Sequence, residues 1–88
     1  MIEKDYIIMS PEGIHARPAT ALVRLTKKFR SSVSMKWQDR RILLNSMLNI
    51  LSLGAKGGDT ITIVIEGEDE AGAAEAIDLF FTQQLKDL

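Results

Sequence analysis

The sequence contains no cysteine and a single histidine among its 88 residues. Without cysteine, the chain has neither a disulfide framework nor a thiolate metal site, as is typical of proteins in a reducing cytosol. The lone histidine would need several carboxylates to complete a metal site, and no such set accompanies it in the sequence. We therefore expect no metal and no cofactor.

Long apolar runs and an excess of one charge are missing as well. The apolar stretches are far shorter than the roughly 20 residues that span a bilayer, and the charged amino end does not have the pattern of a secretory signal. We expect a cytoplasmic protein that does not insert into membranes. With 11 basic and 12 acidic side chains, the formal net charge is −1, which disfavours nucleic-acid binding. The length predicts one domain over residues 1–88.

Four stretches have strand patterns and three have helix patterns. Residues 32–37 alternate, so that Val33, Met35 and Trp37 share one face, and residues 60–65 are rich in β-branched side chains. The other predicted strands are residues 6–9 and 42–44, with a polar connection at 38–40. Helices are predicted at residues 16–29, at 46–53 and from about residue 69, the last with an apolar face of Ala73, Ala74, Ile77, Phe81 and Leu85. The order β-α-β-β-α-β-α predicts an α+β fold, a two-layer sandwich in which helices cover one face of the sheet.

The first predicted helix begins next to the only histidine, His15. The first backbone N–H groups of a helix lack internal partners, and the helix dipole adds partial positive charge there. Together they form an anion site that suits a phosphoryl group. The positive helix end also favours neutral imidazole, which is the nucleophilic form. Arg17 is close enough in sequence to bind phosphate oxygens, Pro18 restrains the backbone, and Gly13 relaxes the turn before the histidine.

The residues alone leave three interpretations of His15. In the first, the histidine merely begins a helix beside a surface arginine and has no chemistry. In the second, it is the base of a hydrolytic triad, which would need an activated serine that is not evident here. In the third, it is itself the covalent acceptor, and this interpretation requires no further catalytic group.

Two motifs resemble those of the HPr family, the phosphocarriers of the phosphoenolpyruvate-dependent sugar phosphotransferase system. Residues 13–19, GIHARPA, are similar to the family's active-site signature. Residues 45–54, NSMLNILSLG, are similar to its second signature, around a regulatory serine. Residues 56–63, KGGDTITI, resemble the turn into the family's last strand. Length and element order agree too, so the resemblance covers essentially the whole chain.

The resemblance implies a four-stranded antiparallel sheet with three helices on one face, and a monomeric carrier that is not itself an enzyme. His15 would be phosphorylated on Nδ1 by enzyme I, with phosphoenolpyruvate as the ultimate donor, and would pass the group to the A domains of sugar permeases. Arg17 would bind the phosphoryl oxygens. Ser46 would be the regulatory phosphorylation site, with HPr kinase/phosphorylase as its partner.

The second predicted helix has two apolar sectors. Met47, Leu48 and Leu51 lie within one sector, whereas Ile50 and Leu53 point elsewhere. Because a helix of two turns has only one side against a sheet, we assign Ile50 and Leu53 to the core. The other three form an exposed apolar patch, which we interpret as a docking site for the partner proteins.

Basic residues of the first helix recur at seven and four residues beside His15. Arg17, Arg24 and Lys28, with Lys27 at the edge, form a basic stripe that would steer an acidic partner surface. The alternatives are that a neighbouring loop covers the apolar patch and that the basic residues are only a solvated helix face.

Three residues depart from the family pattern. Asn45 stands where lysine is common, Asn49 where many Gram-positive members have glycine, and Glu12 where a small polar residue is common. The two asparagines weaken the inference that a kinase recognises Ser46, which is also a suitable helix N-cap. Glu12 would either repel the phosphoryl group or point to solvent.

Two other classes of protein stay open. A regulatory paralogue would bind transcription factors or enzymes without serving sugar uptake, although such proteins can lose the histidine that this chain retains. An unrelated α+β module of ferredoxin-like topology, such as an RNA-binding domain, would need stacking aromatic side chains on its sheet. Only Tyr6 and Trp37 are candidates for that role.

Overall fold

The chain folds into a four-stranded sheet and three helices, and the computed structural model describes all of residues 1–88. The strands are β1 (Ile2–Ile7), β2 (Ser32–Trp37), β3 (Arg40–Leu43) and β4 (Thr60–Glu66). The helices are α1 (Ala16–Thr26), α2 (Met47–Leu53) and α3 (Glu70–Leu79), which continues into a π-helical turn (Phe80–Gln84) and a 3-10 turn (Leu85–Asp87). The order β-α-β-β-α-β-α confirms the predicted fold class. None of the helices combines the length and the apolarity that crossing a bilayer would require.

The sheet has the strand order β1-β4-β2-β3, and every neighbouring pair is antiparallel. β4 lies in the interior, where it pairs with β1 from Ile2↔Ile65 to Ile7↔Thr60 and with β2 from Ser32↔Glu66 to Lys36↔Thr62. Its β-branched residues suit a strand at this position, and Ile61, Ile63 and Ile65 pack into the core on the helix-covered face.

One hydrophobic cluster fills the space between the sheet and the helices. Val33 and Met35 belong to it, and Trp37, predicted to share their face, is partly buried at its edge. The predicted face of the third helix contributes Ala73, Ile77, Phe81 and Leu85, while Ala74 packs against the cluster partly buried. Fully burying one large apolar side chain contributes about 1.5–3 kcal/mol, so this layer dominates the stability of the fold.

The face of the sheet that lies away from the helices is only partly exposed to solvent. Ser34 and Val64 point away from the helices, yet their exposed fractions are only 2% and 4%. Long side chains lie across them: Lys36 forms an ion pair with Glu3 at 3.6 Å, and Arg41 donates to Ser34 Oγ at 3.4 Å. Charged side chains therefore cover part of this face.

β1 occupies residues 2–7 and not the predicted residues 6–9. The first half of β1 was not predicted because it is mostly charged, and its charged side chains are satisfied by partners on neighbouring elements. Lys4 forms an ion pair with α3, and Asp5 accepts a hydrogen bond from Thr62 at 2.6 Å. Ile8 lies beyond the strand, although its N–H still donates to Asp59 O at 2.9 Å.

The hairpin between β2 and β3 is tighter than predicted. Only Gln38 and Asp39 connect the strands, because Gln38 adopts the left-handed conformation with φ 55° and Arg40 already pairs with Trp37. Leu44, predicted to be in a strand, follows β3, and its N–H donates to Val33 O at 2.9 Å.

α1 ends at Thr26, three residues before the predicted end at Phe29. The N–H groups of Lys28 and Phe29 donate to carbonyls three residues earlier, each at 3.2 Å, so the chain tightens and leaves the helix. Thr26 Oγ1 donates to Leu44 O at 2.8 Å and ties this end to the segment before α2.

Candidate functional site

His15 is the N-cap residue of α1. Its backbone is extended, with φ −86° and ψ −172°, and its carbonyl accepts the first helical hydrogen bond from Ala19 N at 3.0 Å. Its side chain is 32% exposed and makes no capping hydrogen bond. The sequence therefore predicted the position of the histidine correctly.

The start of α1 presents unused hydrogen-bond donors. No side chain caps it, so the N–H groups of Ala16 and Arg17 have no partner within the helix. Pro18 is buried and has no N–H, and its ring fixes the backbone of the first turn. These donors and the positive end of the helix dipole favour an anion beside His15.

The two ring nitrogens of His15 lie in different environments. Nε2 is buried and has no hydrogen-bond partner, and the nearest carboxylate oxygen, Glu12 Oε2, is 3.5 Å away. Nδ1 also has no partner in the protein but is not buried, so it reaches solvent. The accessible nitrogen is the one that the family resemblance implies as the acceptor.

Close backbone packing holds the loop before His15. Gly13 has φ +72°, and a Cβ on it would lie 2.8 Å from Ala55 O. A Cβ on Gly57 would lie 2.3 Å from Ser10 O, so the turn that precedes β4 touches the loop directly. Ile14 anchors the same loop in the core, with an exposed fraction of 8%. These contacts could not be predicted from the sequence, because nothing in its pattern relates Gly13 or Gly57 to the backbone that each approaches.

The basic side chains of α1 and of the turn that follows it are free. Arg17 in the first turn, Arg24 in the last turn, and Lys27 and Lys28 just beyond the helix are exposed, and none of them forms an ion pair. Arg17 follows His15 by two residues and is available to an anion at the helix start. The other three give the far end of α1 an uncompensated positive charge.

α2 divides as the sequence predicted. Ile50 and Leu53 are buried, whereas Met47, Leu48 and Leu51 are 38%, 73% and 37% exposed. We call these last three residues the α2 patch, and no loop covers them.

The α2 patch adjoins the helix that His15 begins. Thr20 Oγ1 of α1 donates its hydrogen bond to Ala16 O at 2.8 Å and lies 3.2 Å from Met47 Sδ, so the two helices touch at this point. The α2 patch therefore lies beside α1, about one turn from the start of that helix.

Ser46 is the N-cap of α2, and the helix proper begins at Met47. Its Oγ accepts a hydrogen bond from Asn49 N at 3.4 Å. The Asn49 side chain donates to Asn45 Oδ1 at 3.3 Å, so the two residues that depart from the family pattern brace the first turn together. Ser46 is half-buried.

The clearest pKa shifts lie away from His15. Hydrogen bonds from Ser31 Oγ and from the Arg30 backbone N–H lower the pKa of Asp69, which joins the start of α3 to the segment before β2. Hydrogen bonds from Lys4 and then from Tyr6 lower the pKa of Asp78, and they join α3 to β1. These carboxylates stabilise the fold and take no part in the site.

The fold and the site together define a class of protein. An open-faced sandwich presents one imidazole at an uncapped helix start, and neither of the two surface cavities is lined by His15. Such a site suits the transient acceptance of a small anion at the surface, in a place that a partner protein can reach.

Comparison with known proteins identifies the family. The family model for the HPr component phosphorylation site of the phosphotransferase system matches residues 2–83. The chain belongs to the HPr family, whose members are phosphocarrier proteins and not catalysts.

Solved structures agree. The histidine-containing phosphocarrier protein of Mycoplasma is 30% identical, with 96% of each chain covered and a TM-score of 0.90. The phosphocarrier HPr of Bacillus anthracis is 27% identical, with 92% of this chain and 96% of that chain covered and a TM-score of 0.85. The chain is also similar to Crh, a catabolite repression protein of Bacillus subtilis described as a swapped dimer, at 26% identity, 98% coverage of each chain and a TM-score of 0.75.

Proposed function

We propose that this protein is a cytoplasmic phosphocarrier that accepts a phosphoryl group on His15 from enzyme I and passes it to the A domains of sugar permeases. The observation that carries the proposal is the pairing of a solvent-accessible Nδ1 with an uncapped helix start. An anion bound at that helix start lies beside the nucleophile. Membership of the phosphotransferase-system family supports the choice of partners.

The acceptor chemistry needs few groups. The Nδ1 lone pair attacks phosphorus as the bond to the donor breaks, and charge is spread over the three phosphoryl oxygens in the transition state. The free N–H groups of Ala16 and Arg17 and the unpaired Arg17 guanidinium stabilise that charge. Because Nδ1 is open to solvent, the same group leaves by the reverse motion toward a second partner.

Partner docking uses the α2 patch and the basic end of α1. The patch supplies apolar contact area next to the site, and it includes Met47, an adaptable side chain. Arg24 and Lys27 are exposed and unpaired, so they steer an acidic partner surface toward the patch. We propose one docking surface for donor and acceptors alike, because each must reach the same Nδ1.

The test is incubation with enzyme I and labelled phosphoenolpyruvate, followed by mapping of the acid-labile label. We expect the label on His15 only, and no label on a His15→Ala variant whose thermal melt matches that of the wild type. Full labelling of the folded variant would exclude His15 as the acceptor.

The similarity to Crh favours a second candidate, a regulatory paralogue that binds transcription factors or enzymes. The same experiment separates the two functions. A carrier is labelled and then loses the label to a permease A domain, whereas a purely regulatory protein passes no label on.

We further propose Ser46 as a regulatory phosphorylation site, with HPr kinase/phosphorylase as its partner. As the N-cap residue of α2, it stands directly before Met47 of the patch, so a phosphate there alters the proposed docking surface. Incubation with that kinase and labelled ATP tests the proposal, and the expected label is acid-stable and absent from a Ser46→Ala variant.

A further inference from the structure

We propose that Glu12 is a positioning residue: its carboxylate holds a proton on His15 Nε2 and so keeps the lone pair on Nδ1, where the phosphoryl group is received. The inference rests on the proposed acceptor role of His15. It assigns a role to the residue that departs most clearly from the family pattern at this site.

The geometry points to Glu12 because no other group serves Nε2. This nitrogen is buried without a hydrogen-bond partner, and Glu12 Oε2 lies 3.5 Å from it. That distance is at the outer limit of a hydrogen bond. The Glu12 side chain is 77% exposed and forms no other ion pair, so a small rotation brings its oxygen into line. Catalytic hydrogen bonds are often long in free proteins and tighten in the reacting complex.

A carboxylate beside Nε2 determines whether Nδ1 has a free lone pair. Neutral imidazole carries one proton, and the nitrogen that keeps it is set by the hydrogen bond it makes. An anionic acceptor beside Nε2 favours the proton there, which leaves Nδ1 unprotonated and directed to solvent. The opposite tautomer would bury an unprotonated Nε2 against a carboxylate and leave the exposed nitrogen without a lone pair.

The transfer step balances without a proton leaving the ring. The Nδ1–P bond forms from the Nδ1 lone pair, and the bond between phosphorus and the donor group breaks, with its electron pair going to the donor. The proton stays on Nε2, so the phosphorylated ring is a cation, and the Glu12 carboxylate compensates that charge. The ring stands between the carboxylate on Nε2 and the phosphoryl group on Nδ1, which limits their repulsion.

The test reads the tautomer directly. Since His15 is the only histidine, the imidazole ¹⁵N resonances of a uniformly labelled sample belong to it alone. At a pH where the ring is neutral, we expect the wild type to hold its proton on Nε2. Glu12→Ala should raise the population with the proton on Nδ1. Glu12→Gln, whose amide oxygen still accepts a hydrogen bond, should restore most of the Nε2–H form.

The matched control is Glu68→Ala. Glu68 is an exposed glutamate of nearly equal exposure, 79%, and it pairs with Arg30 and not with the histidine. This variant should leave the ring resonances unchanged.

The functional readout is the rate of phosphorylation by phosphoramidate, a small donor that needs no docking surface. The phosphoramidate P–N bond breaks, and ammonia leaves as the Nδ1–P bond forms. We expect Glu12→Ala to slow this reaction by about tenfold, the lower end of the loss caused by removing a carboxylate that orients a histidine ligand.

Unchanged tautomer populations in Glu12→Ala would overturn the inference, and so would a faster reaction, which would mean that the carboxylate only repels the phosphoryl group. Either result leaves the proposed function intact if wild-type His15 is labelled by enzyme I. Conversely, absence of that label refutes the proposed function, while the tautomer measurement can still be read.

Discussion

A methyl group added at Gly57 should disturb the site without touching His15. Its Cβ would lie 2.3 Å from Ser10 O and 2.9 Å from Pro11 O. Carbon–oxygen contacts normally lie at about 3.3–3.6 Å, so one of the two backbones has to move by about 1 Å. Ser10 O accepts the hydrogen bond from Gly13 N at 2.9 Å, so this movement passes along the loop toward the histidine.

Two magnitudes follow for Gly57→Ala. Overpacking of this kind costs about 1–3 kcal/mol of folding free energy. In a domain of this size, each kcal/mol lowers the melting temperature by about 4–8 °C. A displacement of about 1 Å at a reacting group can cost about 100-fold in rate. Since part of the strain relaxes elsewhere, we expect phosphoryl acceptance to fall by at least about tenfold.

The neighbouring glycine provides the control. Gly58 has φ +89°, and a Cβ on it would meet nothing within 4 Å. Gly58→Ala therefore costs only the left-handed strain of about 1–2 kcal/mol, which resembles the expected cost at Gly57. Its loop contacts are unchanged, so acceptance should stay near the wild-type rate.

The assay combines thermal melts with the rate of labelling by enzyme I at a temperature where all variants are folded. If both variants lose acceptance equally, the loss does not come from the contact between Gly57 and the loop. If Gly57→Ala melts and reacts like the wild type, the backbone contact with the loop does not position the site.

The other predictions concern docking, acid stability and regulation. Leu51→Glu should weaken enzyme I binding by at least about 1 kcal/mol, or about fivefold, with little change in melting temperature. Leu79→Glu, an exposed position on α3, is the control and should bind normally. If calorimetry finds equal affinities for the two variants, the α2 patch is not part of the interface. Hydrogen bonds lower the folded-state pKa values of Asp69 and Asp78, so their stabilisation is complete above the ordinary pKa of about 3.9 and is lost as the pH falls through the lower folded values. Melting temperatures should therefore fall steeply below about pH 4, and less steeply in Asp69→Asn and Asp78→Asn; parallel acid limbs would contradict this. Ser46→Asp should slow transfer from enzyme I by about an order of magnitude while preserving the melt, because the α2 start tolerates the charge and an acidic partner does not. Equal rates of wild type and variant at low salt would exclude the electrostatic mechanism.

The fold could be predicted because its elements have clear periodicities. Alternation defined β2 to the residue, and the predicted division of α2 into Ile50 and Leu53 against its exposed patch is confirmed. Element ends were less predictable because they depend on tertiary partners. β1 continues through charged residues since Lys4 and Asp5 are satisfied by α3 and β4, and no local pattern encodes that.

The end of the chain shows a second limit of periodicity. A helical pattern places Phe81 in the core and turns Phe80 away. The π-helical turn admits an extra residue, so both rings are buried, with centroids 5.1 Å apart, and Phe81 stacks on Tyr6 at 5.0 Å. A regular helical period does not predict such a turn.

The candidate site divides in the same way. The position of His15 at a helix start could be predicted from the sequence, because apolar periodicity and a proline in the first turn mark where a helix begins. The contact of Glu12 with Nε2 and the support of the loop by Gly57 were not readable, since both bring together residues that no periodic pattern relates.

The acceptor nitrogen and the proposed docking patch are therefore held in place by different parts of the structure. Backbone packing between the loop before His15 and the turn before β4 positions the acceptor. The α2 patch is positioned by Ile50 and Leu53, which anchor α2 in the core. Thr20 Oγ1 approaches Met47 Sδ at the boundary between α1 and α2, whose buried side chains share one hydrophobic cluster. A change on the exposed side of α2 should therefore reduce transfer between proteins and spare the reaction with phosphoramidate. A change at Gly57 should reduce both, because the small donor and the protein donor depend on the same position of Nδ1.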